Sequence, residues 1–206
     1  MSRAFAIVPA AGHSVRMGQP KLLLPLEGRP LIAHVLDAWR RSGVERIVVV
    51  VRADDAALAA AVHSLAIPQV DLVQPEVPPP DMKASVQAAL RHIAGTSSPA
   101  PDDCFLVAPA DMPHLLPAII QALRNEYNRE PGRIVVPLAG GRRGHPVLFP
   151  WPLAGNVHAL GQEAGLDMLV KRGPTAEFSC DHLIVKSLRP FADIDTPEEY
   201  RRMASE

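Results

Sequence analysis

The chain has 206 residues, of which 48% are hydrophobic and 21% charged, and its formal net charge is −1. This length is ample for one α/β domain with a substantial core. The near-neutral charge and the lack of a long basic run exclude binding to nucleic acid or to a membrane surface through bulk electrostatics. The longest aliphatic run, residues 47–51, is too short to span a bilayer, and we expect no signal peptide because the first residues lack an h-region. Cys104 and Cys180 form no disulfide or zinc pattern, so we expect reduced thiols in a cytoplasmic protein.

Apolar runs and helical periodicities alternate along the chain. Strands are predicted where short apolar runs lie between turn signals, at residues 5–8, 46–51, 70–73, 105–108, 134–136, 147–149 and 184–185. Helices are predicted where apolar residues recur every three or four positions, at residues 31–42, 54–65, 83–93, 115–127 and 166–171. This alternation predicts an open, mostly parallel α/β sheet, and the turn at residues 140–143 predicts a small antiparallel hairpin.

Local signals predict how several elements begin and end. Asp54 is a candidate N-cap for the helix at residues 54–65. Residues 95–103 are predicted to form an exposed and mobile polar loop. The segment Thr196-Pro197-Glu198-Glu199 is typical of a capping box with proline at the first helical position.

The most informative segment directly follows the first predicted strand and reads Pro9-Ala10-Ala11-Gly12-His13-Ser14-Val15-Arg16-Met17-Gly18-Gln19-Pro20-Lys21. Its small residues let the backbone approach a ligand closely. Arg16 offers a planar fork for phosphate oxygens, and Lys21 offers a compact positive charge. Five residues separate Gly12 from Gly18, which excludes the Walker pattern, and the G-x-G-x-x-G fingerprint is absent. We therefore expect a nucleotide phosphate site of another type.

Carboxylates late in the chain are candidates for a metal site. Asp111 follows the strand at residues 105–108, and ligands of open α/β sheets bind at the carboxyl ends of strands, so Asp111 should lie beside the first loop. Mg²⁺ prefers one or two carboxylates together with phosphates and water. Capping of the helix after Pro113 is the alternative role for Asp111. Of Asp193 and Asp195, one is expected to face the metal and the other to cap the last helix, or both to cap.

These segments together resemble one family. The first loop resembles A-A-G-x-S-x-R-M-G-x-x-K, the signature of the MobA-like nucleotidyltransferases of the molybdenum-cofactor type, which include cytidylyl- and guanylyltransferases acting on molybdopterin. Asp111-Met112-Pro113 and Asp193-Ile194-Asp195-Thr196-Pro197-Glu198-Glu199 resemble the metal-binding and closing segments of that family. Arg143-Gly144-His145-Pro146-Val147-Leu148-Phe149 resembles the acceptor segment of its cytidylyl branch.

The resemblance implies a single domain over residues 1–206 with a three-layer, Rossmann-like α/β/α fold of the GT-A type. It implies CTP and molybdopterin as substrates, Mg²⁺ as cofactor, and a molybdenum hydroxylase or its chaperone as partner, with no nucleic acid or membrane. The implied catalytic residues are Arg16, Lys21 and Asp111. The implied nucleotide-binding residues are Ala10, Ala11, Gly12, Arg16, Lys21 and Ser85. The implied metal ligands are Asp111 with Asp193 or Asp195, and the implied acceptor-binding residues are Arg143 and His145.

Several other functions stay open on the sequence alone. Guanylyl transfer to molybdopterin and a sugar-1-phosphate or polyol-phosphate nucleotidyltransferase share the first loop and Asp111. A catalytically silent nucleotide-binding regulator is expected to lack Arg16, Lys21 or Asp111, and all three are present. An NAD-dependent reductase is disfavoured by the missing glycine fingerprint.

Overall fold

Strands and helices alternate in the computed structural model, which describes residues 2–183 and 191–204. The strands are β1 (Ala4–Pro9), β2 (Pro25–Leu26), β3 (Arg29–Pro30), β4 (Arg46–Val50), β5 (Val70–Val73), β6 (Cys104–Val107), β7 (Ile134–Ala139), β8 (Arg142–Arg143), β9 (Val147–Pro150) and β10 (Thr175–Ser179). The α-helices are α1 (Leu31–Arg41), α2 (Ala56–Ser64), α3 (Met82–Ser97), α4 (Pro117–Arg129), α5 (Ala154–His158), α6 (Asp167–Arg172) and α7 (Pro197–Ala204). The strand predicted at residues 184–185 lies outside the described residues. No helix within the described ranges combines the length and the apolarity that crossing a bilayer requires.

One large sheet organises the described residues, with strand order β10-β7-β9-β6-β1-β4-β5 and β8 paired to β7. β1 is parallel to both of its neighbours, β4 and β6. β9 runs antiparallel to β6 and β7, and β7 is parallel to β10. The turn between β7 and β8 uses Gly140 and Gly141, whose φ angles of 55° and 73° suit glycine. The predicted mostly parallel sheet with an antiparallel hairpin is confirmed.

Helices cover both faces of this sheet because its central strands are apolar on both sides. Ala4, Ala6 and Val8 of β1 face a core formed with α1, α2 and α4. Phe5 and Ile7 of the same strand face a second core formed with α3 and α5. These two cores separate three layers, so the predicted three-layer α/β/α fold is confirmed.

The order of the central strands creates a crevice beside β1. The chain leaves β1 through α1 to β4 on one side, whereas β6 pairs with the other side of β1. The loops after Pro9 and Val107 therefore leave the carboxyl ends of neighbouring parallel strands, which is where open α/β sheets bind ligands. The N–H of Ile194 donates to the carbonyl oxygen of Asp111 at 3.1 Å, which brings the segment before α7 to the same edge.

The N-cap predicted for the second helix is wrong by one residue. The side chain of Asp55 accepts a hydrogen bond from the N–H of Leu58 at 3.1 Å and caps α2. Asp54 instead accepts a hydrogen bond from Arg52 Nε at 2.9 Å. Two adjacent aspartates offer the same capping chemistry, and the direction of the chain after β4 decides which one is used.

The prediction of an exposed loop at residues 95–103 is wrong at both ends. α3 continues to Ser97, so the first residues of this segment are helical. Asp103 is buried, because its carboxylate accepts hydrogen bonds from the backbone and guanidinium of Arg3 and from the N–H of Ala100. The polar composition of residues 95–103 predicted an exposed segment, but a carboxylate whose oxygens all accept hydrogen bonds can be buried.

Candidate active site

A lysine lies between two carboxylates at the carboxyl edge of the sheet. Lys21 Nζ is 2.5 Å from Asp111 Oδ2 and 3.0 Å from Asp195 Oδ1. The three side chains are 15%, 13% and 22% exposed, so solvent screens their attraction weakly. Arg16 adds a second cation, with Nη2 2.6 Å from Asp195 Oδ2, although its side chain is 71% exposed. The structure thus brings Arg16, Lys21, Asp111 and Asp195 together.

Burial and charge oppose each other in this cluster. Burial raises the pKa of Asp111, and the charge and hydrogen bond of Lys21 only partly offset that rise. Burial alone would lower the pKa of Lys21, but Asp111 and Asp195 outweigh it and hold the pKa above its ordinary value. Burial alone would raise the pKa of Asp195, but the hydrogen bond and charge of Lys21, together with the charge of Arg16, outweigh burial and lower the pKa. The cluster is therefore a set of coupled charges close to a cavity, as binding sites for charged ligands often are.

The turn that carries Arg16 and Lys21 is held by its own backbone. Ser14 has a φ of 51°, an uncommon value for a residue with a Cβ, and its carbonyl oxygen accepts the N–H of Met17 at 3.0 Å. The hydroxyl of Ser14 accepts the N–H of Lys21 at 3.4 Å. Gly18, with a φ of 64°, completes the reversal. The loop thereby turns both cations back toward Asp195.

The segment before α7 contributes Asp195 directly, while Asp193 has a weaker connection to the cluster. The predicted capping box is confirmed, because the Thr196 hydroxyl accepts the N–H of Glu199 at 3.3 Å. Glu199 Oε2 in turn accepts the N–H groups of Asp195 and Thr196, each at 2.9 Å. The expectation that an aspartate side chain caps this helix is therefore wrong. Asp193 is exposed, and its negative charge contributes to raising the pKa of Asp111.

Asp111 likewise does not cap the helix that follows it. α4 begins at Pro117, and its N-cap residue, Leu116, makes no capping hydrogen bond through its side chain. Asp111 instead lies at the edge of the crevice, where its Oδ1 atom is buried and has no hydrogen-bond partner among the described residues. A buried carboxylate oxygen without a donor is costly unless a ligand or a cation satisfies it.

A cavity of about 500 Å³ opens beside this cluster. Five of the six predicted nucleotide-binding residues line it, namely Ala10, Ala11, Gly12, Lys21 and Ser85, whereas Arg16 is not among its lining residues. Its lining also includes Pro78, Pro79, Pro80, Asp81 and Met82, to which the sequence analysis assigned no binding role. The signal for this part of the lining was a proline run ending in an aspartate, and Asp81 is indeed the N-cap of α3.

Neither the packing around Gly12 nor its backbone conformation requires a glycine at this position. A Cβ at this position would meet no atom within 4 Å, and its φ is outside the left-handed region. The protein alone would therefore accept a small side chain here. Gly12 lines the cavity, and the open space at its Cβ position leaves its backbone accessible from that side.

The residues of the cluster fit a divalent cation of the magnesium type. Asp111 offers an unpartnered oxygen, and Asp195 is the nearest second carboxylate on the same lysine. Within residues 2–183 and 191–204, no group of three or more His, Cys, Asp and Glu side chains is arranged to hold a metal. A hard cation that takes one or two carboxylates and completes its coordination with phosphates and water matches this donor set.

The two predicted acceptor residues lie on the hairpin in different surroundings. The guanidinium of Arg143 in β8 is exposed and pairs with Glu177 of β10, with Nε 2.8 Å from the carboxylate. His145 is partly buried, and burial lowers its pKa, although a hydrogen bond with the backbone of Val107 and the charges of Asp111 and Asp193 act to raise it. Its Nδ1 atom has no hydrogen-bond partner in the described structure. The structure therefore brings His145, and not Arg143, toward the carboxylates.

The hairpin and the segment before α7 meet at Gly144. A Cβ on Gly144 would lie 2.2 to 2.5 Å from ring atoms of Phe191, so the ring occupies the space where a side chain would be. Phe191 in turn packs against the core that contains Ile194. This contact fixes the chain just before Asp193 and Asp195 against the loop that carries His145.

Comparison with known proteins decides the family. The sequence profile described as the MobA-like NTP transferase domain matches residues 6–177. The chain belongs to this family. Molybdenum cofactor guanylyltransferase of Rhizobium meliloti is 31% identical over 205 residues, which are 96% of this chain and 88% of that protein.

Other relatives of this MobA-like chain are named for different activities. 2-C-methyl-D-erythritol 4-phosphate cytidylyltransferase of Ralstonia nicotianae is 35% identical over 136 residues, or 65% of this chain. The match covers 53% of that relative, so the chain spans about half of its length. Among solved structures, Rv0371c from Mycobacterium tuberculosis aligns over 100% of this chain and 98% of its own with a TM-score of 0.81 and 26% identity. A manganese complex of the same mycobacterial protein aligns over 100% of both chains with a TM-score of 0.76 and 25% identity.

Proposed function

We propose that this MobA-like protein transfers CMP from CTP to molybdopterin, forming molybdopterin cytosine dinucleotide and pyrophosphate. One observation carries the proposal: Lys21, Asp111 and Asp195 meet beside a cavity of about 500 Å³ whose wall includes the glycine-containing first loop. Two segments with phosphate and metal chemistry thus converge on one ligand-sized space. The family match over residues 6–177 supports nucleotidyl transfer as the chemistry.

The reaction is a displacement at the α-phosphorus of the nucleotide. An oxygen of the acceptor's phosphate forms the new P–O bond, the bond to the β-phosphate breaks, and pyrophosphate leaves with that electron pair. Such a phosphate is anionic near neutral pH and needs no general base, so the residues act by positioning and by stabilising charge. Arg16 and Lys21 hold the triphosphate and stabilise the departing pyrophosphate.

The backbone of Ala11 and Gly12 approaches the nucleotide closely, and Ser85 at the first turn of α3 lies on the side of the base and ribose. His145 and Arg143 face the acceptor in this proposal. Asp111 would hold the metal together with Asp195 or Asp193. When bound, a magnesium ion there supplies charge neutralisation at the α-phosphate. Because Lys21 contacts both Asp111 and Asp195 in this structure, nucleotide binding draws its ammonium from the carboxylates toward phosphate.

Guanylyl transfer to molybdopterin is the second candidate. It is favoured by the guanylyltransferase of Rhizobium meliloti, whose match extends over 96% of this chain. Cytidylyl transfer is favoured by the acceptor segment Arg143–Phe149, which resembles the cytidylyl branch, and by the Ralstonia cytidylyltransferase over 65% of the chain. Delivery of the product to a molybdenum hydroxylase or its chaperone is part of the proposal, as is a cytoplasmic location.

A pyrophosphate-release screen tests the function. Each of the four nucleoside triphosphates is paired with molybdopterin, methylerythritol phosphate and common sugar 1-phosphates, with and without Mg²⁺. The proposal expects Mg²⁺-dependent release with CTP and molybdopterin only. Release with GTP and molybdopterin establishes guanylyl transfer. Release with a sugar phosphate or a polyol phosphate establishes a different class of acceptor. Binding of nucleotide without release under any pairing means that the chain is a silent regulator.

A further inference from the structure

Arg52 lies behind the first loop and is not used by the proposed chemistry. It follows β4 by two residues, and its side chain is only 13% exposed. Its Nη1 atom donates to the carbonyl oxygens of Gly12 at 3.2 Å and of Ala11 at 3.4 Å. Arg52 is not among the residues that line the 500 Å³ cavity; it lines a second depression of about 410 Å³, which shares Gly12, His13 and Ser14 with the cavity. The guanidinium therefore touches the loop without touching the space for the ligand.

Those two carbonyl contacts fix the orientation of two peptide groups. The carbonyl of Ala11 and the N–H of Gly12 belong to one planar trans peptide and point in opposite directions, as do the carbonyl of Gly12 and the N–H of His13. Holding both carbonyls toward Arg52 turns both N–H groups away from it. No described residue accepts a hydrogen bond from either N–H group, so both are available to an anionic ligand.

Arg52 is itself held from two sides. Its Nε atom donates to Asp54 at 2.9 Å, and Nη2 is 3.8 Å from the carboxylate of Asp55, the N-cap of α2. The carbonyl oxygen of Arg52 accepts a hydrogen bond from Gln74 Nε2 at 3.2 Å. The guanidinium contacts Asp54 and Asp55 at the same time as the two loop carbonyls, which a lysine ammonium on a flexible stem cannot reproduce.

We propose that Arg52 is a positioning residue that presets the N–H groups of Gly12 and His13 toward the phosphates of the bound nucleotide. This inference rests on the proposed nucleotide site and goes beyond it by assigning a role to a residue outside the cavity. An alternative explanation of the same arginine is simple attraction: a cation near the loop raises the affinity for a triphosphate whatever its hydrogen bonds. The two explanations differ in what a lysine does at position 52.

The test compares Arg52→Met and Arg52→Lys with Arg46→Met. Arg46 is a matched control, because it begins the strand that Arg52 follows and also binds an aspartate, Asp71, and a carbonyl oxygen, that of Pro68. Binding of CTP with Mg²⁺ is measured by calorimetry, and KM and kcat are measured by pyrophosphate release. Both Arg52 variants are expected to lose about tenfold or more in CTP affinity, with KM raised accordingly and kcat within about threefold of wild type.

Wild-type affinity in Arg52→Lys overturns the positioning role in favour of simple attraction, and it does so even where Arg52→Met fails to fold. An equal loss in Arg46→Met overturns it in favour of a general loss of stability. A wild-type protein that binds no nucleoside triphosphate contradicts the proposed function instead, so the two failures are distinguishable.

Discussion

Lys21 and Asp111 are 90 residues apart in the sequence, and their charged atoms are 2.5 Å apart in the structure. The pair joins the loops that leave β1 and β6, which are neighbouring parallel strands. A partly buried pair of this kind costs desolvation, and that cost offsets much of the stability gained from the attraction. Because both residues also line the cavity, we expect the pair to serve ligand binding more than stability.

Lys21→Ala should lower the rate of pyrophosphate release with saturating CTP by about 100-fold or more. The loss of one cation that stabilises the transition state is worth about 3 kcal/mol. Lys171→Ala is the control, since Lys171 is a surface lysine that pairs with Asp167. A loss below threefold, measured in the steady state with circular dichroism to verify folding, would count against the role of Lys21.

Asp111→Asn should abolish Mg²⁺-dependent pyrophosphate release and leave the fold intact. The amide keeps an oxygen acceptor for Lys21 but has no negative charge to hold a divalent cation. Parallel Asp195→Asn and Asp193→Asn variants are measured by titration with Mn²⁺. The larger loss of metal affinity is expected for Asp195, since it alone of the two contacts Lys21 and Arg16. Normal turnover in Asp111→Asn would contradict the assignment.

The convergence of the first loop and Asp111 was predictable from the sequence. Both follow apolar strands, and strand ends of a parallel sheet meet at one edge, whatever the details of the side chains. The lysine between the carboxylates was not predictable, because opposite charges in separate motifs give no signal of mutual contact. Arg52 was missed for the same reason: it lies about 40 residues from Ala11 and Gly12, and nothing local marks its contact with them.

Elements at the edge of the sheet were also hard to predict. β10 carries Glu177 and Ser179 among its five residues and lies at the end of the strand order, so it lacks the continuous apolar run that marked β1 and β6. The contact of Phe191 with Gly144 joins a segment near the end of the chain to a hairpin, and periodicity cannot predict it. Choosing between Asp193 and Asp195 as the nearer carboxylate likewise required the tertiary structure.

Gly12→Ala should separate function from stability. The new methyl group meets no protein atom and the backbone angle is permissive, so the midpoint of thermal unfolding should be unchanged or slightly higher. The affinity for CTP should fall, since the methyl group projects where the nucleotide approaches. Gly95→Ala within α3 is the control: its Cβ is also unobstructed, but it lies outside the cavity. Unchanged CTP binding in Gly12→Ala would remove the argument for close approach.

Gly144→Ala should destabilise the protein and disturb the segment that carries Asp195. The methyl group would overlap the ring of Phe191, and overpacking of this kind costs about 1–3 kcal/mol. The free energy of unfolding is measured in urea, together with pyrophosphate release. In the double variant Gly144→Ala/Phe191→Leu the smaller side chain makes room, so part of the stability should return. Additive losses in the double variant would show that the two positions are independent.

Asp103 should control acid stability far from the cavity. Burial alone would raise its pKa, but the N–H of Ala100 and the side chain and backbone of Arg3 outweigh it and hold the pKa below the ordinary value of 3.8. The unfolded chain therefore binds a proton more readily, so the contribution of Asp103 is fully present above the unfolded pKa and is lost as pH falls through the folded pKa. Asp103→Asn should lower the free energy of unfolding at pH 7 by about 2 kcal/mol.

The difference between wild type and Asp103→Asn should shrink as pH falls below the ordinary value of 3.8 and through the lower pKa of the folded state, because the wild-type carboxylate then becomes protonated as well. Unfolding in urea at each pH measures this difference in the free energy of unfolding. Asp102→Asn is the control at the neighbouring exposed position, and it should change stability by less than about 0.5 kcal/mol. A difference that is already shrinking above pH 5, where the carboxylate is charged in both the folded and the unfolded chain, would contradict the assignment of this pH dependence to Asp103.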